Sequence, residues 1–576
     1  MPGKPIFTAL VLIVFAGWVA LMLSLGSLGK PMVTAKPESA AGPGGEHPRA
    51  PGDPKPDQPP PAPVAARPGD WPQWGHTQDR NMISTEKNLP DEWSPGEWDP
   101  KKGEWDVSKA KNVKWAAKLG SESYGNVTVS AGKVFIGTNN SNPRNPAITG
   151  DRGVMMCFDE ETGKFLWQLT VPKLKEGRVN DWPGIGICSS PTVDGDRVYL
   201  VTSRGELLCL SVDGIKKGNR GPFKNEGMYI KDPDKLAGQP LDKFASMPVD
   251  DTEADIIWRM DMRDPEVLGA FPHNMSNCSV LIDGDRLFCT TSNGVDWGHS
   301  YVPSALTPSY FCVNKMTGEE LWEDELNLAN SAREDCGLTR RIFHGIWSNP
   351  SMGNVNGKKE VFYGGPDGVL YALDAETGKT VWQGDCVLAK QKKFDSGQFI
   401  AYGPSSPKGP SEIDSTPVFF NNRVYVTNGQ DPEHGAGDGV ITCWDATKTG
   451  DITANGKIWF SDKIHRSIAS PSIVGDLLFV GDFSGYIHCF DVNTGEKYWE
   501  YPSGARMWGS TMVADGKIYF GNDGKESFIM PATKTKPEEK DIKRVKLKDY
   551  IRSTPVIANG VLYIVSNTHL FAIQKK

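Results

Sequence analysis

What this chain of 576 residues lacks narrows its chemistry first. No two of its ten cysteines are adjacent, and no Cys-x-x-Cys-His haem site occurs. There is no Gly-x-Ser-x-Gly elbow, no His-Glu-x-x-His and no complete Gly-x-x-x-x-Gly-Lys-Ser/Thr loop, so the common signatures of hydrolase, zinc-peptidase and phosphate-loop chemistry are missing. The nine histidines show no metal-ligand spacing, and no metal site is expected. A net charge of −8 without an unbroken Lys/Arg run argues against a nucleic-acid surface. The one Lys-rich stretch, Pro531 to Asp549, also carries acids and reads as a solvated loop leading into a strand.

What is present is repetition. Glu360 to Trp382, EVFYGGPDGVLYALDAETGKTVW, contains two apolar runs around Pro366-Asp367-Gly368, then a turn with Gly378, then an exit through Trp382. That pattern predicts three antiparallel strands. The unit recurs as VMMCFDEETGKFLW ending at Trp167, YFCVNKMTGEELW at Trp322 and GYIHCFDVNTGEKYW at Trp499. A further strand of the type SSPTVDGDRVYLVTS precedes each unit. Such periodicity takes precedence over any other reading.

First strands fall near Asn126, Ser190, Ser279, Asn349, Thr416, Ser470, Thr511 and Thr554, which makes eight copies. The last copy, ending THLFAIQKK, has no Trp-terminated fourth strand, whereas Asn112 to Ala116 precedes the first copy and carries the unassigned Trp115. Putting that strand into the last copy leaves no open edge. The expected fold is all-β: an eight-bladed β-propeller of four-stranded antiparallel blades over residues 71–576, closed by an N-terminal strand. The length suits repeats rather than several domains.

Ahead of the ring, Ile6 to Gly29 is an uncharged, mostly apolar stretch flanked by Lys4 and Lys30. Its length predicts one transmembrane helix within residues 1–30, a retained signal anchor; cleavage after Val33-Thr34-Ala35 is the alternative. Lys4 favours a cytoplasmic N-terminus, which puts the ring on the exported, periplasmic side, or outside the cell if the segment is cleaved. Residues 31–70, rich in Pro, Ala and Gly, read as a semi-extended spacer.

The Trp at each blade end (Trp167, Trp258, Trp322, Trp382, Trp459, Trp499) is expected to bury its ring against the next blade. Cys157, Cys209, Cys312, Cys443 and Cys489 fall at one repeat position, where the fourth copy has Ala372; a position that alternates Cys with Ala wants a small apolar side chain. Cys188 with Cys278 remains open as a disulfide. The insertion Val212 to Asp255 is either an exposed flap or a grip on the neighbouring blade.

Trp71, Gly75, Arg80 and Ser84 in DWPQWGHTQDRNMIS, together with the Asp-x-x-Thr-Gly-x-x-x-Trp repeats, resemble the quinoprotein dehydrogenase and BamB superfamily from about Trp71 to the C-terminus. The resemblance implies the propeller, and it implies either of two functions. One is a BamB-like envelope scaffold that needs no cofactor and binds a protein partner, in outer-membrane protein assembly; the lipoprotein Cys of such factors is missing here. The other is a dehydrogenase of alcohols or sugars using pyrroloquinoline quinone (PQQ) and Ca2+, with Glu122, Asn277 and Asp414 as candidate Ca2+ ligands and Asp414 as the base. The absent vicinal cysteines and haem site favour the scaffold. A propeller that binds a sugar or another small molecule is a further alternative.

In a propeller the rim of the channel is built just ahead of each first strand. There stand Glu122, Tyr124, Asp181, Trp182, His273, Asn277, His344, Trp347, Glu412, Asp414, His465, Arg466, Arg506, Trp508 and Arg552. As a set they suit a polar, flat ligand or a peptide. Insertions between second and third strands, Asn139 to Arg152, Asn293 to Pro308 and Asn428 to Gly439, reach the same face. They bring Asn293, Asp296, Trp297 and His299, then Asn428, Asp431 and His434, and either cover the funnel or serve it.

Overall fold

The computed structural model describes residues 67–230, 249–298, 301–326, 344–392, 412–430 and 438–575. The expected membrane span, the spacer up to Ala66, His299, Asp431 and His434 lie outside them. Among the described residues no helix is long and apolar enough to cross a membrane.

Among the described residues eight sheets of four antiparallel strands form the blades, two of them extended by a short parallel strand. Their innermost strands are Thr128–Ser130, Thr192–Asp194, Leu281–Asp283, Ser351–Val355, Val418–Phe420, Ser472–Val474, Met512–Ala514 and Val556–Ala558, taken as blades 1 to 8. The eighth sheet runs Val556–Ala558, Val561–Val565, His569–Ile573 and then Val113–Lys118, so the N-terminal strand closes the ring as the orphan Trp115 suggests. The Lys-rich stretch of blade 7 does supply a fourth strand, Lys543–Lys546.

The repeat residues owe their identities to the seams between blades. In blades 1, 2, 3, 5 and 6 the recurrent cysteine sits opposite the terminal Trp (Cys157 and Trp167, Cys443 and Trp459, for instance), and Ala372 faces Trp382 in the same way. A bulge follows at once, turning the indole toward the next blade. There the indole lies on the turn glycine. Gly378 has φ +71, and a Cβ on it would come 2.5 Å from Cε3 of Trp322. Gly163 under Trp115, Gly318 under Trp258 and Gly495 under Trp459 repeat the arrangement. Each of those indoles also donates to a carbonyl of the same neighbour, Trp322 to Ala375 and Trp115 to Glu160 across the closure. The Thr-Gly turn is thus shaped by the preceding blade as much as by its own hairpin.

Trp382 is the exception: its indole donates to Glu360 of its own blade, and the longer turn of blade 5 lays Gly450–Asp451 beside it as a short parallel strand. Part of the Val212 to Asp255 insertion grips blade 1, where Gln168 exchanges backbone hydrogen bonds with Thr252 and Ala254, and Arg152 donates to the carbonyl of Tyr229. Cys188 and Cys278 are both free thiols.

The segment that carries the Trp71, Gly75, Arg80, Ser84 signature travels once around the channel. The Gly69 carbonyl accepts from Asn559 of blade 8, Trp71 pairs with Val129 of blade 1, and the Pro72 carbonyl accepts from Val193 of blade 2. Gln78 reaches Ile282 of blade 3 and Met352 of blade 4, and the Asp79 carbonyl accepts from Phe419 of blade 5. Asn81 pairs with Ile473 of blade 6, the Met82 carbonyl accepts from Val513 of blade 7, and Glu86 returns to Gly560 of blade 8. Arg80, 0% exposed, donates to the carbonyls of Trp74, Ser279, Val280 and Pro350, which locks the middle of the circuit. Burial pulls the guanidinium pKa down, and four carbonyl acceptors are what make its charge tolerable there.

Candidate functional site

This circuit puts a floor across the channel. Above Trp74 lies a cavity of about 290 Å³ walled by Tyr124, Trp182, Trp347, Trp508 and Arg552, with Asn277 and Asp414 among its polar groups.

Its waist is a closed belt of hydrogen bonds made by the residues that lead into the eight inner strands. The backbone N–H of Asn126 donates to Ser190, that of Ser190 to Ser279 and that of Ser279 to Oδ1 of Asn349. Asn349 continues through its side-chain amide to Thr416. The N–H groups of Thr416, Ser470 and Ser510 donate to Ser470, Ser510 and Thr554, and that of Thr554 donates to Oδ1 of Asn126. Each blade is thereby held to the next by a short oxygen-bearing side chain at one repeat position. The recurrence of Ser, Thr and Asn just ahead of each inner strand was the sequence signal for it; Trp74, on the floor segment, has no such signal.

At one side of the mouth Arg552 lies over Tyr124 and Trp508 (4.9 and 5.2 Å to the ring centroids) and pairs with Asp523 and Glu122. Trp508 donates to the same Asp523. Burial pushes the Tyr124 hydroxyl above its ordinary range against the pull of Arg552, and raises the Glu122 carboxyl in the same way. The cation is matched by carboxylates before any ligand arrives.

Of the rim residues expected from the sequence, Tyr124, Trp182, Asn277, Trp347, Asp414, Trp508 and Arg552 come together around the cavity. The rest do other work. His273 and His344 are fully buried, ring to ring at 4.6 Å, behind Trp347. Asn293 and Asn428 bond loop backbone at Phe271, Ser304 and Cys386. Asp181 is buried in an ion pair with Lys173, and burial lifts its pKa to about 6. Glu412 is buried and bridges to Gly429 through its backbone. Arg466 and Arg506 flank Phe483, which packs edge-on against Trp508. His465 shares the buried carboxylate of Asp482 with His488, at 2.9 and 2.7 Å. Burial would raise Asp482, but the bonds from His488, Tyr486 and His465 outweigh it and hold the carboxyl below its usual range.

The Ca2+ and PQQ reading asks Glu122, Asn277 and Asp414 to meet. They stand ahead of blades 1, 3 and 5, a quarter turn apart, and Glu122 is held by Arg552 and Asn567. Asn277 and Asp414 line the cavity, whereas Glu122 is turned to Arg552 and Asn567 outside its lining. Among the described residues no three His, Cys, Asp or Glu side chains group as a metal site.

Asp296 caps the loop above the mouth by accepting from the backbone of Gly298 and Tyr301. Trp297 on that loop reaches Trp182, ring centroids 6.1 Å apart. Trp297, Tyr301 and Leu306 are 49%, 63% and 80% exposed, the last two the barest large apolar side chains among the described residues.

A family model described as outer membrane protein assembly factor BamB matches residues 104–220, 249–501 and 311–576. The BamB protein of Shewanella oneidensis is 20% identical over 423 residues, which is 72% of this chain and 73% of that protein. Among solved structures, BamB from Moraxella catarrhalis aligns with a TM-score of 0.47 at 15% identity, covering 81% of this chain and 97% of that one. Quinohemoprotein alcohol dehydrogenase from Comamonas testosteroni aligns at 0.40 and 11% identity, covering 88% of this chain and 81% of that one.

Proposed function

The chain belongs to the family described as outer membrane protein assembly factor BamB, and on that premise we propose that it is a cell-envelope scaffold that binds a protein partner in outer-membrane protein assembly. The Ile6 to Gly29 stretch anchors it to the inner membrane with the ring on the periplasmic side, and the role calls for no cofactor. The observation that carries this reading is the loop at the channel mouth. Three large apolar side chains stand bare there, Trp297, Tyr301 and Leu306, where a ring without a partner would keep polar residues. Aromatic side chains exposed at the edge of a concave surface are the usual anchors of a protein interface.

The test is photo-crosslinking in living cells, with the reactive group placed at position 301 or 306 and, as a control, at Asn356 on a turn between the inner strands of blade 4. Adducts from 301 and 306, absent from 356, to a component of the outer-membrane assembly machinery support the role. Adducts only to unrelated proteins, or the same pattern from all three positions, refute it.

A further inference from the structure

The polarity of the belt leaves something over. Six of its members are hydroxyl residues, and each uses its oxygen to accept a hydrogen bond from the neighbouring blade. A hydroxyl that accepts still carries a proton to donate. Among the described residues none of the six hydroxyls donates to another protein group, and all six residues are at most 4% exposed. Five of them, Ser279, Thr416, Ser470, Ser510 and Thr554, line the cavity. The waist is thus a ring of converging O–H donors without acceptors. A buried donor left in that state is costly, and such groups in folded proteins find a partner. The indole N–H of Trp347, on the wall above, also lacks an acceptor.

The walls say what else the occupant is. Trp182, Trp347 and Trp508 offer flat apolar faces, while the amide of Asn277 and the carboxylate of Asp414 reach the same space. Arg552 is already matched by Asp523 and Glu122, so the cavity presents no spare cation to hold an anion. A fitting ligand is neutral, rich in acceptor oxygens around its rim and saturated enough to lay C–H faces on indole rings. Those are the properties of a sugar ring. The volume of about 290 Å³ lies at the lower end for small-molecule sites, the scale of a mono- or disaccharide.

We propose that the blind channel binds the terminal unit of a neutral saccharide, with its oxygens received by the belt hydroxyls and its C–H faces against the tryptophan walls. The site adjoins the apolar loop, where Trp182 packs against Trp297, but its donors belong to the belt, and it stands whether or not that loop docks a protein.

The full-length protein is titrated with glucose, galactose, N-acetylglucosamine, maltose and cellobiose by calorimetry and by tryptophan fluorescence, with glucuronate and inorganic phosphate as anionic controls. Saturable binding of at least one neutral sugar is expected, weakened roughly tenfold or more by either Asn277→Ala or Trp347→Ala, the loss of one good contact. Asn277 lies outside the belt, so its variant should keep the parent melting temperature and remain readable if Trp347→Ala fails to fold. Three results overturn the proposal: no neutral sugar binds at millimolar concentration, the anions bind better than the neutral sugars, or binding is unchanged in a folded variant.

Discussion

Thr554 donates its backbone N–H to the side-chain oxygen of Asn126, joining the last inner strand to the first across 428 residues of chain. The same two blades are joined again farther out, where Val113–Lys118, paired with His569–Ile573 inside blade 8, runs on into blade 1 and its Trp115 donates to Glu160 across the seam. Closure is therefore made at the waist and at the rim by unrelated parts of the sequence. Asn126→Ala leaves the Thr554 N–H without its acceptor in a buried place, and the expected cost is about 1–3 kcal/mol. Urea denaturation of the variant beside the parent measures it; an unchanged midpoint would mean the belt contributes no strength at the seam.

Arg80 is the second point where one side chain serves several blades. Its guanidinium satisfies four backbone carbonyls in a place closed to water. Arg80→Ala strands those carbonyls, and a loss of roughly 3–5 kcal/mol is expected. Arg80→Lys keeps the charge but cannot span the set, and should recover only a minor part. Thermal melts of the three proteins decide; equal recovery by Lys would show that charge alone matters.

Acid sensitivity has an identifiable source in His569. Burial lowers its pKa to about 4, with Lys118 acting in the same direction and Asp549 opposing. In the unfolded chain it takes up a proton near pH 6.5. Between those values the unfolded state binds more protons, so stability falls as pH drops through that window and levels off below it. The contribution reaches about 3 kcal/mol. His569→Phe, which keeps a ring beside Phe571, should show a smaller difference in stability between pH 7 and about pH 5 than the parent. Identical pH dependence in the two proteins would move the source elsewhere.

The periodic parts of the ring were readable from residues alone because each blade repeats the same contacts. A Trp, a small residue opposite it and a turn glycine in the next blade recur at fixed spacing, and the unpaired Trp115 revealed the closure. The circuit was not readable in this way. Its course depends on irregular backbone bonds from Gly69, Trp71, Pro72, Asp79 and Met82 to strands hundreds of residues away, and no periodicity marks them. The rim was half legible. Position ahead of each strand placed Tyr124, Trp182, Trp347 and Arg552 at the cavity, but it could not tell that His273 and His344 turn inward behind Trp347. The path of a connecting loop between fixed ends depends on what packs behind it, which a single sequence does not display.

The course of Gly69 to Glu86 also sets a timetable. These residues leave the ribosome before any blade exists, yet their partners extend to Gly560, close to the end of the chain. Hairpins within each blade can form as they are made, because their contacts are local; the circuit must wait for distant partners, and contacts of that span are slow to form. A chain halted before its eighth blade would hold a leading segment whose Gly69 and Glu86 contacts to blade 8 are unmade, and such a chain should fall to proteases faster than the finished ring.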